Sequence, residues 1–373
     1  MSGSDVQIPG RRLRSHIEIA GRRLRNQRLA GAGLRSATDV VRWLGAVQSQ
    51  IYPAARWSVG QRAIGLSAAS IDDALAQGRV IRTHVLRPTW HLVSAEDIHW
   101  LLDLTAPRVQ QRNATMYRKL GLDPPLLARA DRILAGALGG GRQLTRAEIA
   151  AELDHHGVPT DTLRLSCILM HGELTQRLCS GARQGRQHTY ALLEERAPRT
   201  VPLARDEALG ELVRRYFTSH GPATIKDFSS WSSLTIADTR RGLEIAGGEL
   251  EQTTVQDRTY WSASCPAPPA VTGAPRAHLL QGYDEYTVAY RDSRHVVDPA
   301  RLAAVIPGRT ARFTHNLVLD GEIIGHWRHA TSGPPHVEIQ LFRELEPTDT
   351  RAVDDAVRRY ATFLGEPLSW SIP

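Results

Sequence analysis

The sequence repeats one pattern three times, in which helical segments are followed by two short strand-like runs. Apolar residues at helical spacing, and then in alternation, predict this order of elements. In the first unit, the predicted helices and strands are 38–50, 70–77, 80–86 and 90–93. Ser70 is expected to cap the second of these helices. The order is that of a helical DNA-binding unit with a β-hairpin wing.

The second and third units repeat this order. The second unit begins near Leu126, and its predicted elements are helices at 144–153 and 161–171 and strands at 174–179 and 189–193. The third unit has predicted helices at 206–220, 223–231 and 236–245 and strands at 250–255 and 259–261. Thr145 and Glu148 have the spacing of a capping box. Three such units in succession favour a tandem winged-helix architecture over an unrelated α+β arrangement.

The chain changes character after a segment rich in Pro, Ala and Gly at 265–275, which is typical of a linker. The strands predicted beyond it are 277–280, 314–319, 322–327 and 337–342. Asp320-Gly321 is a strong hairpin signal, and a closing helix is predicted over 349–364. We therefore predict an α+β fold with three tandem winged-helix units and a small β-rich C-terminal domain. The predicted domains are 1–125, 126–204, 205–264 and 265–373.

Two glutamines, Gln48 and Gln50, stand one residue apart where an apolar helix runs into Pro53. On a continuing helix, side chains at i and i+2 point about 200° apart and do not share one site. Pro53 favours extended geometry at Tyr52 and a helix end nearby. If the backbone opens at Ser49, both amides face one side and can hold a water or recognise a polar group. The alternative is a helix C-terminus with two surface glutamines.

A formal net charge of +7 and a sequence pI near 9.6 favour a polyanionic partner such as nucleic acid. Nearly all of the basic residues are arginines, because the only lysines are Lys119 and Lys226. The arginines of the first tenth of the chain are Arg11, Arg12, Arg14, Arg22, Arg23, Arg25, Arg28 and Arg35. This segment is either a basic arm that contacts phosphates or a solvated helix.

The three cysteines, Cys167, Cys179 and Cys265, lie far apart and form no CxxC pair. Neither a disulfide framework nor a thiolate zinc site is indicated, and a reduced cytosolic protein is the simplest interpretation. No apolar run approaches the length of a membrane span, and the N-terminus lacks the apolar core of a signal peptide. We therefore expect a cytoplasmic, nucleoid-associated monomer with no membrane contact, no cofactor and no metal.

Four separated motifs follow one another along the chain. They are Gln48-Ser49-Gln50, Arg87-Pro88-Thr89-Trp90-His91-Leu92, Pro222-Ala223-Thr224-Ile225-Lys226-Asp227-Phe228 and Asp284-Glu285-Tyr286. Together they resemble the AlkZ-like winged-helix DNA glycosylases, a family that includes YcaQ, over nearly the whole chain. The Gln-x-Gln motif matches the AlkZ branch, because the YcaQ branch has Gln-x-Asp. The family usually has glycine at the position of Pro88, so the tip of the first wing is expected to contact DNA differently.

The resemblance implies three winged helices folded into a concave surface for double-stranded DNA. It also implies the excision of alkylated purines, including natural-product crosslinks, in base excision repair and antibiotic self-resistance. A purine alkylated at N7 or N3 is cationic and leaves as a neutral base, so the paired carboxylates of ordinary glycoside hydrolysis are not needed. Gln48 and Gln50 are the candidate catalytic residues, because an amide carbonyl can orient a water without ionising. No lysine near the motif can form a Schiff base, so we expect a monofunctional glycosylase.

Polar residues on the three wings and on the C-terminal hairpin are candidate DNA contacts, to phosphates or in a groove. These candidates are His84, Arg87, Thr89, His91, Arg183, Arg186, Arg258 and Arg328. Asp284 and Glu285 are interpreted as internal hydrogen-bond partners rather than as a second catalytic pair.

Two other functions remain open: a non-catalytic winged-helix regulator or damage-binding protein, and a nuclease. Regulators commonly dimerise on palindromic sites, and the sequence indicates neither a dimerisation coiled coil nor a separate effector domain. The Gln-x-Gln motif is unnecessary for binding alone, which favours the enzyme. A nuclease is disfavoured because no clustered carboxylates indicate a metal pair.

Overall fold

The computed structural model describes residues 9–197, 199, 201–255, 257–264, 275–291, 313–330 and 333–372, with side chains from residue 18 onward. The first elements are α1 (Pro9–Asn26), α2 (Ala37–Leu44), β1 (Val47–Gln48), α3 (Tyr52–Gly60), α4 (Ala68–Ala76), β2 (Val80–His84), β3 (Trp90–Ser94) and α5 (Ile98–Lys119). The predicted hairpin of the first unit is present as β2 and β3, which pair antiparallel. The two-residue strand β1 joins the outer side of β3, so the sheet order is β1-β3-β2.

The second unit has the same sheet order. Its elements are α6 (Pro124–Leu138), β4 (Leu144–Thr145), α7 (Arg146–His155), α8 (Thr162–Leu174), β5 (Leu178–Ser180), β6 (Thr189–Leu192) and α9 (Leu193–Arg196). Its sheet runs β4-β6-β5, so a short strand again pairs with the second strand of a hairpin. The capping box predicted for Thr145 and Glu148 is confirmed, because each side chain bonds the backbone N–H of the other residue.

The third unit keeps the arrangement in reduced form. Its elements are α10 (Arg205–His220), α11 (Ile225–Ser232), α12 (Ile236–Ala246), β7 (Leu250–Val255) and β8 (Arg258–Ala263). The short strand is here reduced to one bridge, between Ala223 and Trp261 of β8. The predicted helix and hairpin order of the third unit is therefore confirmed.

The C-terminal part is a mostly antiparallel sheet with one long helix. Its elements are β9 (Ala277–Leu280), α13 (Glu285–Val288), β10 (Asn316–Leu319), β11 (Glu322–Ala330), β12 (His336–Leu341), α14 (Pro347–Leu364) and β13 (Ser369–Ser371). The sheet order is β13-β12-β11-β10-β9. Asp320 and Gly321 have φ angles of 47° and 96°, and such positive values suit the two-residue turn that the sequence predicted. Nearly all of the predicted linker lies outside the described residues.

Three large clusters of buried side chains join these elements. One lies mostly within the second unit and includes Tyr117 near the end of α5. A second joins the first hairpin and α5 to α10, α11 and α12 of the third unit. A third joins α2, α3 and α4 to the C-terminal sheet and α14. Ala46 belongs to the second cluster and its neighbour Val47 to the third, so the chain enters β1 where the two cores meet.

Two local predictions were wrong. The helix predicted over 38–50 ends at Leu44, because Gly45 takes a φ of 78° and the chain then pairs as β1. The cap of α4 is Ser67 rather than Ser70, which is the third residue of the helix and completes a capping box. No described helix is long and apolar enough to cross a membrane.

Candidate functional site

Gln48 lies on β1, opposite His91 of β3. Ser49 continues the extended backbone, and its N–H donates to the carbonyl of Trp90 at 2.7 Å. Gln48 is 8% exposed and Ser49 is buried, whereas Gln50 is exposed. The backbone is therefore already extended at Gln48 and Ser49, which is the condition under which the sequence allows both amides to face one side, and the alternative of two glutamines on a helix terminus is wrong. A shared target for both amides stays a prediction.

The β1–α3 segment differs from its counterparts in the other two units. In those units, the residue after Leu144 or Ala223 is a threonine that caps the following helix through a capping box. The residue after Val47 is Gln48, and Ser49, Gln50 and Ile51 separate it from α3. The first turn of α3 has no side-chain cap. A local stabilising device is therefore absent where the Gln-x-Gln motif lies, which is common at functional sites.

Arg87 fixes the side chain of Gln48. Its Nη2 donates to Gln48 Oε1 at 2.8 Å, and its Nη1 donates to the carbonyl of Trp231 in α11 at 2.9 Å. A guanidinium has only donors, so this bond defines which end of the Gln48 amide faces Arg87. Gln48 Oε1 has a second lone pair, and its Nε2 makes no hydrogen bond to another described residue.

His91 completes this group as a neutral ring. Its Nδ1 donates to the carbonyl of Thr89 at 2.9 Å, which leaves Nε2 as the acceptor facing Arg87 Nη2 at 3.2 Å. Burial, and then the positive charge of Arg87, hold the pKa of His91 well below its ordinary value. Gln48 Oε1, the Trp231 carbonyl and His91 Nε2 are thus neutral acceptors for the Arg87 guanidinium.

Glu285 fixes the backbone of Gln48. Its Oε1 accepts from the Gln48 N–H at 2.9 Å, and its Oε2 accepts from the Trp231 indole at 3.0 Å. His220 Nε2 lies 3.5 Å from the same oxygen. Glu285 is fully buried at the start of α13. These contacts agree with the interpretation of Glu285 as an internal hydrogen-bond partner.

Asp284 anchors the same turn from the other side. Arg62, two residues after α3, donates to both of its oxygens, at 2.7 and 2.9 Å, and Ser58 of α3 also donates to it. Burial alone would raise the pKa of Asp284, but the Arg62 guanidinium and these hydrogen bonds hold it below its ordinary value. Asp284 is therefore a buried anion that ties α3 to the residues preceding α13.

The remaining predicted DNA contacts lie in two kinds of environment. Arg186, Arg258 and Arg328 are exposed, and Arg328 pairs with Glu338. His84 is buried and bonded to Glu173 of α8, and the hydroxyl of Thr89 is buried. Arg183 stacks over the ring of Tyr52, beside the Gln-x-Gln motif. The structure thus gathers Gln48, Arg87, His91 and the Thr89 carbonyl, while Arg258 and Arg328 lie on other elements. The DNA-contact roles stay predictions.

Sequence reasoning missed two residues that shape the site. Trp231 binds both Arg87, through its carbonyl, and Glu285, through its indole. Arg82 donates to the carbonyl and the hydroxyl of Ser49, and so holds the residue between the two glutamines. Arg82 alternates with His84 on β2, a signal that could have placed it on the same face. Among the described residues, no group of three potential metal ligands occurs.

Comparisons with known proteins agree with this architecture. The sequence matches the family model described as DNA glycosylase AlkZ-like over residues 41–363. It is 26% identical over 355 residues to an interstrand DNA cross-link repair glycosylase of Streptomyces sahachiroi, covering 92% of this chain and 95% of that protein. The solved structure of Streptomyces sahachiroi DNA glycosylase AlkZ has a TM-score of 0.79 at 24% sequence identity, covering 96% of this chain and 99% of that chain. The similarity therefore extends across the units and the C-terminal sheet.

Proposed function

The chain belongs to the AlkZ-like DNA glycosylase family, and from that premise we propose that it hydrolyses the N-glycosidic bond of N7- or N3-alkylated purines in double-stranded DNA. Bulky natural-product adducts and interstrand crosslinks are the proposed substrates, and self-resistance through base excision repair is the proposed role. The observation that supports this most directly is the immobilisation of Gln48. Glu285 holds its backbone N–H and Arg87 holds its side-chain carbonyl.

The chemistry follows from what a fixed neutral amide can do. A cationic purine leaves as a neutral base, so no general acid is required. The second lone pair of Gln48 Oε1 accepts a hydrogen bond from the attacking water. The exposed Gln50 supplies the second contact to that water. Because amides are poor bases, activity is restricted to lesions whose glycosidic bond is already weakened.

The arrangement of the three helix and hairpin units supports DNA as the proposed substrate. We interpret the three helix and hairpin units as winged helices with the predicted domain boundaries, facing DNA with their wings. Arg183, Arg186, Arg258 and Arg328 are the proposed phosphate or groove contacts. In the same scheme, Arg87, His84 and His91 serve the site mainly from within, because each is engaged by neighbouring protein groups.

Single-turnover excision tests this proposal. Duplex DNA with one N7-methylguanine, one bulky N7-guanine adduct or one N7-guanine interstrand crosslink is incubated with wild type and Gln48→Ala/Gln50→Ala. Alkaline strand scission measures base loss, and a denaturing gel measures the release of crosslinked strands. Gln111→Ala, an exposed glutamine of α5, is the matched control.

We expect scission above spontaneous depurination in wild type and in Gln111→Ala, and its loss in the double variant with DNA affinity nearly unchanged. Equal rates in all three proteins would remove the glutamines from the mechanism. Tight binding without scission on every substrate would instead indicate a damage-binding protein.

A further inference from the structure

A cleft of about 590 Å³ lies where α1 meets the third unit, away from Gln48. It is bounded by Arg23 of α1, the N-terminal turn of α11 and the turn between β7 and β8. The charged residues that line it are Arg23, Lys226, Asp227, Asp257, Arg258 and Arg291. No role in the proposed excision uses this cleft as a whole.

Arg23 is the unusual member of the set, because it is only 2% exposed and yet lines the cleft. Its guanidinium stacks on the ring of Tyr290 at 3.6 Å, and its Nε donates to the carbonyl of Pro222 at 3.0 Å. Its two terminal amino groups make no hydrogen bond to another described residue. An anion bound in the cleft can accept hydrogen bonds from these two groups.

The acidic residues offset only part of the positive charge of the cleft. Asp227 Oδ2 accepts from the N–H and hydroxyl of Thr224, and its Oδ1 accepts from the backbone N–H of Arg291 at 2.8 Å. Asp257 is exposed in the turn before β8. Counted as formal charges, the four basic and two acidic side chains that line the cleft leave it at +2. The N-terminal end of α11 adds a partial positive charge.

We propose that this cleft binds a backbone phosphate of DNA, with Arg23 as the buried donor and Lys226 and Arg258 at the mouth. The assignment of the anion to DNA rests on the proposed function. Helix α11 joins the two places, because Lys226 lies in its first turn and the Trp231 carbonyl near its end accepts from Arg87. At 1.5 Å per residue, these positions are only about 8 Å apart along the helix axis. One bound duplex can therefore engage both.

The two lysines of the chain make a direct test possible. Reductive methylation of wild type, read by mass spectrometry, is compared without additive, with inorganic phosphate and with an undamaged duplex. Lys119, exposed at the end of α5, is the internal control for Lys226. We expect the duplex to protect Lys226 selectively. Protection by inorganic phosphate alone, or by neither probe, would overturn the assignment to DNA.

Salt titrations of duplex affinity give a second, independent readout. For Lys226→Gln, the slope of log K against log[salt] should fall by about 0.9, the value expected when the protein neutralises one phosphate fewer on B-DNA. Lys119→Gln should keep the wild-type slope, and an unchanged slope in Lys226→Gln would contradict the proposal. Arg23→Gln should behave like Lys226→Gln where it folds.

These tests are separable from the excision assay, because they use undamaged DNA and can be repeated on Gln48→Ala. If the duplex protects Lys226 but no base is excised, the glycosylase mechanism is refuted and phosphate binding in the cleft is supported. If bases are excised but Lys226 is not protected, phosphate binding in the cleft is refuted and the glycosylase mechanism is supported.

Discussion

At the scale of single residues, Gln48 is held at both its backbone and its side chain by groups remote in sequence. Glu285 and Arg87 reach it from α13 and from the loop after β2, and Trp231 bonds both of them. In the proposed mechanism Gln48 orients a water, and its immobilisation before the reaction means that its placement then costs no further entropy. The charged residues around Gln48 thus have a positioning role.

Replacing Arg87 by lysine should separate positioning from charge. Lysine keeps the positive charge but lacks the planar fork that reaches Gln48, Trp231 and His91 together. Loss of a hydrogen bond to a charged group costs about 1.5–3 kcal/mol. If this loss is felt mainly in the transition state, the single-turnover excision rate should fall about 10- to 100-fold. Affinity for undamaged duplex should change little.

The matched control for Arg87→Lys is Arg358→Lys, an exposed arginine of α14. Its excision rate should equal that of wild type. A wild-type rate in Arg87→Lys would show that the Gln48 amide does not need this partner. A large loss of affinity with an unchanged rate would assign Arg87 to DNA binding instead.

The sequence alone predicted the residues of this site better than their contacts. Gln48, Arg87 and His91, which the structure brings together, were singled out beforehand because their residue types and motifs are informative. Their hydrogen bonds join positions up to 237 residues apart, such as Gln48 and Glu285, and no local spacing encodes such pairs. Trp231 was missed for the same reason.

At the scale of elements, the three units show which features local sequence determines. Hairpins and capping boxes depend on residues a few positions apart, and the hairpins and the capping box of Thr145 and Glu148 were predicted correctly, whereas the box of Ser67 and Ser70 was missed. The end of α2 depends instead on β1, whose partner Leu92 lies far along the chain. An apolar run through Ala46 and Val47 therefore resembled a continuing helix until the pairing with β3 was known.

Helix α11 connects the candidate site to the phosphate cleft, and its cap is expected to matter for function. Thr224→Ala removes the capping box with Asp227 and should cost about 1 kcal/mol of stability. Because Lys226 and the Trp231 carbonyl both depend on α11, affinity for undamaged duplex and the excision rate should also fall. Urea unfolding, duplex binding and single-turnover excision measure the three effects.

Thr145→Ala provides a closely matched control, since Thr145 and Glu148 form the equivalent capping box at α7. It should lose a similar free energy of unfolding and keep a near-wild-type excision rate. Equal functional losses in both variants would mean that the effect of Thr224→Ala is general destabilisation.

At the scale of the whole molecule, the first unit and the C-terminal sheet behave as one body. The ring of Trp57 in α3 lies 5.0 Å from those of Tyr360 and Phe363 in α14. A Cβ on Gly60 would overlap the ring of Phe363, so α3 approaches α14 as closely as only glycine permits. Sequence composition predicted the first unit and the C-terminal part as separate domains. The core that they share is formed by residues far apart along the chain, and composition carries no signal of such contacts. The Gln-x-Gln motif is held by Arg87 after β2 and by Glu285 of α13, and Trp231 of α11 bonds both of these residues.

Arg62 and Asp284 form a fully buried ion pair, which adds a polar contact between the first unit and the C-terminal part to the apolar core that they share. Asp284→Asn leaves the Arg62 charge buried without its counterion and should lower the free energy of unfolding by about 3–5 kcal/mol. Asp355→Asn breaks an exposed pair with Arg358 and should cost no more than about 1 kcal/mol. Urea denaturation at neutral pH compares the two variants with wild type, and equal losses would contradict the structural role of Asp284.

The pH dependence of stability gives an independent test of the same pair. The folded pKa of Asp284 lies below its unfolded value of about 3.9, so its stabilising contribution is fully present above that pH. The contribution is lost as pH falls through the folded pKa, because protonation then removes the anion in both states. Asp284→Asn should therefore show a shallower loss of stability than wild type below about pH 4, whereas Asp355→Asn should follow wild type. Parallel curves for wild type and Asp284→Asn would mean that the pKa of Asp284 is the same in the folded and unfolded states, and would contradict a stabilising role for its pairing with Arg62.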